Sequence, residues 1–491
     1  MKKILVFLFA FVGIFTFSGC KKKDDILSLS KNLTEYEISI DLNTESKTAN
    51  VKQTIDYINN TKSIIKNLKL HLYVQNFKQG ATKSIISNTN LNLAYPNGMS
   101  YADFEITRIL TNNIDTSYNL ESEYDSILSI NLNESLMPGN RIDISIEYIF
   151  TIPNCNHRFG YGENTINLGN FYPIMCVFEN SKFNTNGYNS NGDPFYSDMA
   201  NYCVDITTNS QYTVAGTGIK TTKILNNTQT KTSFKANLVR DFALVLSKNF
   251  EVISSTYEGT KIEYYYFNDP NAKQNLQTGV DAIKTFSTLF GNYPYSTFSV
   301  VKTDFVHGGM EYPNLVMISS NIDNTDDYKN VIIHETAHQW WYAMIGNDEF
   351  TFPWLDEALT EFSTVLFYDN NKGYNLTHKN MINACKENYT LFITVYEDVL
   401  GKIDTSMRAV NEYSTEPEYT YCTYVKGNLM FESLYQLIGK EKFIKSLKEY
   451  FETNKYKNVK PQDLISAFEK GSKQSLSNFF DSWVKGKVII K

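Results

Sequence analysis

From residue 33 to about 255, apolar and polar positions alternate with a period of two. The stretch EYEISIDL puts Tyr36, Ile38, Ile40 and Leu42 on one face, and NLKLHLYV does the same with Leu68, Leu70, Leu72 and Val74. RIDISIEYIF repeats the pattern with Ile142, Ile144, Ile146 and Tyr148. Turn-forming clusters such as INNTK, YPNG and NSNGDP separate these runs, so the first half predicts a large antiparallel β domain. A last strand pair is expected around FEVISSTYEGTKIEYYYF. Beyond it the period changes. In NAKQNLQTGVDAIKTFSTLFG, Leu276, Val280, Ile283, Phe286 and Phe290 fall on one helical face, and Gly291 is placed to end the helix. FSVVKTDFVHGGMEYPNLVMIS alternates again, as strands do. From residue 328 helical patterns dominate, in KNVIIHETAHQWWYAMIG, DEALTEFSTVLFYD, YVKGNLMFESLYQLIG, KEKFIKSLKEYFETN and PQDLISAFEKGS. The chain therefore divides into a β domain over 33–255 and a mainly α domain over 256–491.

Composition narrows the picture at a few points. A length of 491 residues exceeds one ordinary core, and 42% hydrophobic with 20% charged residues describes a folded chain. The net charge of −7 argues against a nucleic-acid partner, which requires a phosphate-neutralising surface. At the N-terminus a basic MKK precedes the apolar run ILVFLFAFVGIFTF and then SGC. This run is too short for a comfortable membrane span and reads as a secretory signal over 1–19. Ser18, Gly19 and Cys20 resemble a bacterial lipobox, with Phe17 where Leu is usual. Cys20 would then carry lipid and hold the protein on the extracytoplasmic face of the cell membrane, with 20–32 as a polar tether. The remaining cysteines, Cys155, Cys176, Cys203, Cys385 and Cys422, are odd in number and widely spaced, which excludes a disulfide framework. One disulfide among the first three is left open.

The chemistry lies in VIIHETAHQWW. On a helix, His334 and His338 point the same way one turn apart, so both imidazoles can reach one zinc ion at about 2.0–2.1 Å. Glu335 lies beside the first histidine, placed to take a proton from water without ligating. A third ligand is needed. Met344 occupies the position where a third histidine would stand in one known arrangement, which leaves the acids of WLDEALTEF. Glu357 is nineteen positions past His338 and Glu361 four further on; Asp356 is placed to support a histidine from behind. His71, His157 and His378 have no second ligand at metal spacing, and His307 is placed to line a cleft.

These motifs resemble the aminopeptidase N family of gluzincin metallopeptidases. HExxH followed after eighteen residues by Glu in WLDEAL is that family's zinc signature; HGGMEYP and YVKG are similar to two further family segments in the same order. The resemblance implies an N-terminal β-sandwich or saddle followed by a thermolysin-like, mainly α-helical catalytic domain. It implies one zinc ion per chain on His334, His338 and Glu357, with Glu335 as general base. It implies that Gly308, Gly309, Met310 and Glu311 bind substrate, Glu311 holding the free α-amino group, and that Tyr424 stabilises the oxyanion. Tyr312 stands where the family has Asn. A β-domain acid or amide that assists Glu311 is also expected; Asn170 and Glu179 lie in the corresponding region. The chain ends soon after LSNFFDSWVKG, which implies a cleft without the helical cover of longer members. The implied activity is hydrolysis of N-terminal residues from peptides with free N-termini. A zinc endopeptidase and a zinc-containing binding lipoprotein are the alternatives.

Overall fold

A computed structural model describes residues 24–488 and residue 490. The signal segment 1–19 and Cys20 lie outside the described residues. Alternation builds the first half as expected. In strand Thr34–Asn43, Tyr36, Ile38, Ile40 and Leu42 are buried while Glu35, Glu37, Ser39 and Asp41 are exposed. This strand is central in an eight-stranded sheet that runs from the edge strand Ile219–Ile224 to Ile114–Asp115. Its apolar face belongs to the same hydrophobic core as two four-stranded sheets, one containing Ile166–Gly169 and the other Ile65–His71. The layering is that of a sandwich. Among the described strands of these three sheets, pairing is antiparallel except where Thr34–Asn43 runs parallel to Ala200–Asn209. The strand read through Val74 stops at His71, and the chain turns into a short 3₁₀ helix, Tyr73–Phe77.

The hairpin Glu251–Tyr257/Thr260–Tyr266 does not close the β domain. Its second strand pairs in parallel with Thr297–Thr303, which continues to Leu315–Ser319 and then to the edge strand Gly309–Met310. The hairpin, on which the division expected near 255 falls, thus shares the five-stranded sheet with Thr297–Thr303 and Leu315–Ser319. Alternation alone does not say which sheet a strand joins. Helix Ala272–Leu289 buries Leu276, Val280, Ile283 and Phe286, and Gly291 follows its cap at φ 155°. The helices Lys426–Ile438, Lys440–Asn454 and Pro461–Ser472 lie within the segments whose pattern predicts them, and Thr325–Ala337 and Glu357–Asn370 overlap theirs, starting four residues earlier and ending one residue later respectively. Helix His378–Leu400 was not foreseen.

Buried polar contacts join the halves. Arg240, 1% exposed, donates to the carbonyls of Ser197 and Ala343 and to Asn458 Oδ1. Gly346 must be glycine, because a Cβ there would overlap the Arg240 guanidinium. The first described residue is also held. Asp24 receives Lys455 Nζ at 3.1 Å and Tyr456 Oη at 2.8 Å, so the tether expected over 20–32 is not free from Asp24 onward. No disulfide links Cys155, Cys176, Cys203, Cys385 and Cys422; all five are free. Among the described residues, no helix is long and apolar enough to cross a membrane.

Candidate metal centre and active site

Helix Thr325–Ala337 starts at Asn324, whose side-chain oxygen accepts from the N–H groups of Asp326 and Asp327. It carries His334 and ends at His338. The helix expected to continue through Met344 instead widens there: Ala343 N–H bonds back to the His338 carbonyl. That change turns the Trp341 carbonyl toward the His338 ring, at 3.1 Å from Nδ1. Thr360 Oγ1 lies 3.2 Å from the same nitrogen. An Nδ1–H donated to this carbonyl leaves Nε2 as a lone pair aimed into the cleft. Trp341 is fixed in turn, its indole N–H donating to Ser363 Oγ on the neighbouring helix.

That neighbouring helix, Glu357–Asn370, presents Glu357 at its first residue. His334 Nε2 and His338 Nε2 are 3.1 Å apart, and Glu357 Oε2 stands 3.4 Å and 3.3 Å from them. Ligand atoms at zinc-bond lengths on a tetrahedron are about 3.3 Å apart. Glu357 Oε2 is buried without a hydrogen-bond partner. Three donors at tetrahedral separation, two of them imidazole nitrogens and one an orphaned carboxylate oxygen, fit a zinc ion. Glu361 is not a ligand: its carboxylate lies 3.2 Å from His334 Nδ1, on the far side of that ring. Asp356 does not support a histidine. It faces Asn347 and the buried Glu349, and burial, with Glu357 next to it, pushes its carboxyl up to about 7.

Glu335 is buried beside the donors, with Oε2 unpartnered. Burial pushes its carboxyl up to about 7, and the two histidines pull it back. Gly309 makes room for it: a Cβ at 309 would stand 2.3 Å from Glu335 Oε1. Gly308 and Gly309 line the cleft; Met310 does not, lying beneath it with its sulfur 2.9 Å from Arg158 Nη1. Glu311 returns to the cleft, buried, with Oε1 unpartnered; burial pushes its carboxyl well above the usual range. The following turn is pinned by Gln339, which donates to the Tyr312 carbonyl and accepts from Asn314 N–H. Tyr312, the departure from the family motif, reaches Asn170 Oδ1 at 2.6 Å through its hydroxyl. Tyr424 donates to Glu357 Oε1 at 2.5 Å and lies nearly parallel to the His334 ring.

The β-domain contribution is Asp193, which sequence reasoning missed. One carboxylate oxygen each from Asp193, Glu311 and Glu357 lie within 4.8 Å of one another. Arg158 Nη2 holds Asp193 at 2.5 Å, so one guanidinium touches both Asp193 and Met310. Asn170 and Glu179 are elsewhere: Asn170 donates to Asp241, and Glu179 pairs with Lys460. His307 lines the cleft as expected, a space of about 280 Å³. His378 bonds Glu432, while His71 stacks on Tyr73 and His157 faces the Ile85 carbonyl.

This arrangement agrees with what is known of other proteins. Residues 274–483 match the Peptidase family M1 domain. Curated relatives include Aminopeptidase M1-A of Oryza sativa subsp. japonica, 27% identical over 247 residues, covering 47% of this chain and 27% of that protein. Aminopeptidase M1 of Arabidopsis thaliana is 26% identical over 260 residues, covering 50% and 29%. The chain thus spans under a third of the length of these relatives. Among solved structures, a mutant M1 zinc metallopeptidase from Deinococcus radiodurans superposes with a TM-score of 0.64 at 15% identity, covering 93% of this chain and 95% of the other. The fold is that of a two-domain M1 metallopeptidase. Matched domain, relatives and fold agree with the motifs: residues 274–483 are similar to the catalytic domain of M1 aminopeptidases, and the fold is that of two-domain M1 metallopeptidases.

Glu361 orients a metal-binding imidazole, so Glu361→Leu is expected to weaken zinc binding by about 10–100-fold in a chelator competition, without loss of fold. Unchanged affinity would show that the contact has no influence on the metal.

Proposed function

We propose that the protein is a zinc-dependent aminopeptidase that removes N-terminal residues from peptides. One observation carries this reading: the carboxylates of Asp193 and Glu311 converge immediately beside Glu357, one of the three metal donors. Such a cluster attracts an ammonium group and sets the first peptide carbonyl next to the metal. Bound there, zinc supplies Lewis-acid chemistry, drawing electrons from a carbonyl oxygen and making water acidic enough to ionise near neutrality.

The chain's own groups do the rest. Glu335 Oε2, free of partners, takes the proton of the attacking water and later delivers it to the leaving nitrogen. The Tyr424 hydroxyl, which here donates its one proton to Glu357 Oε1, would turn that proton to the carbonyl oxygen as negative charge develops there. The edge strand Gly309–Met310 pairs on one side only, leaving main-chain groups for an extended peptide to bond. Burial of Glu311, Glu335 and Glu357 keeps bulk water from competing for these contacts.

Two substitutions separate binding from chemistry. Asp193→Asn is expected to raise KM for aminoacyl substrates by about tenfold or more with kcat less affected. An unchanged KM would remove Asp193 from amine recognition. Glu335→Gln is expected to keep one zinc per chain and lose at least about 100-fold in kcat. Parental turnover in that variant would refute the assigned base.

We further propose lipid attachment at Cys20 on the extracytoplasmic face, supported by the sequence around that cysteine. With Asp24 held against Lys455 and Tyr456, only residues 21–23 would separate the lipid from the body. Cys20→Ser should move the protein from the membrane fraction to the soluble fraction; continued membrane association would overturn the anchor.

A further inference from the structure

Between strand Lys182–Phe183 and strand Ala200–Asn209 the first half sends out an extended segment with no sheet partner over 184–199. Residues 184–193 cross onto the second half and are held there by side-chain amides. Asn184 and Asn186 both donate to Asp348 Oδ2, at 3.0 Å and 3.3 Å. Asn191 donates to the carbonyls of Tyr413 and Val410, at 3.0 Å and 3.3 Å. Gly192 lies so close to Tyr419 that a Cβ there would stand 2.4 Å from the phenol oxygen. Between these attachments, residues 188–193 form a continuous wall of the cleft and end at Asp193, beside Glu311 and Glu357.

The wall therefore begins where the amine pocket ends. A peptide with a residue upstream of that amine would have to occupy the volume taken by the strap. Resting on the aminopeptidase reading, we propose that the strap 184–193, latched by Asn184, Asn186 and Asn191, is the end stop that restricts substrates to peptides whose first residue carries a free amine. None of the three asparagines touches a metal donor, Glu335 or Tyr424 in the hydrogen bonds that define the latch. Releasing them should change which peptides fit while leaving the catalytic groups in place.

Two variants test this on the whole zinc-loaded chain: Asn184→Ala/Asn186→Ala/Asn191→Ala, which unlatches the strap, and replacement of 187–191 by two glycines, which shortens the wall itself. Each is assayed on one peptide in free and N-acetylated forms, with cleavage positions read by mass spectrometry and zinc content measured alongside. The expected result is a parent that cuts only the free form, and variants that cut the acetylated form at least about tenfold faster than the parent does, at bonds beyond the first. A selective parent whose two variants stay equally selective with zinc retained overturns the end stop and leaves the aminopeptidase reading standing. A parent that cuts both forms alike overturns that reading, and the end stop with it.

Discussion

Everything in the second half is arranged so that three donor atoms meet at a separation that only a cation makes favourable. Two imidazole nitrogens 3.1 Å apart, with a buried carboxylate oxygen 3.3–3.4 Å from each, would be a poor arrangement for neutral core packing. The surroundings preserve it. The Asn324 cap starts the histidine helix, the widened turn after His338 supplies the Trp341 carbonyl, and Glu361 and Thr360 face the outer ring nitrogens. Gln339, one residue beyond the second histidine, ties the same helix to the turn after Glu311. The two histidines and the turn after Glu311 are thereby placed by one helix end.

The β domain is part of the site rather than a platform for it. Arg158 grips Asp193 and touches Met310, the residue before Glu311, so one guanidinium ties the β-domain acid to the strand that leads to Glu311. Arg240 and Tyr312 carry further buried bonds across the boundary between the halves. A cleft assembled this way depends on domain docking: displacing one half would remove Asp193 and the strap while leaving His334, His338 and Glu357 intact.

Much of this was legible in the sequence because it is periodic or local. His334 and His338 need only helical spacing, and Tyr36, Ile38, Ile40 and Leu42 need only alternation. The assignment of Glu357 over Glu361 came from family resemblance; geometry gives the reason, since Glu361 meets the opposite nitrogen of His334. What was not legible depends on contacts distant in sequence. Asp193 sits in an Asn- and Gly-rich stretch that reads as a turn, and nothing local marks its carboxylate as facing Glu311. The hairpin Glu251–Tyr257/Thr260–Tyr266 alternates like its predecessors, but its partner strand lies thirty residues on, at Thr297–Thr303. Helix His378–Leu400 leaves Leu391, Val395 and Val399 exposed among its polar residues, which blurs the contrast between its two faces in the sequence. Asp356 was placed behind a histidine by proximity in sequence, whereas the helix start turns it toward Glu349 and Asn347.

The most direct measurement is anomalous X-ray diffraction at the zinc edge from crystals of the protein prepared with zinc. A single strong peak about 2.0–2.1 Å from His334 Nε2, His338 Nε2 and a Glu357 carboxylate oxygen is the predicted result. A zinc-supplemented protein with no peak between these three side chains, or with its ion held elsewhere, would contradict the account at its base.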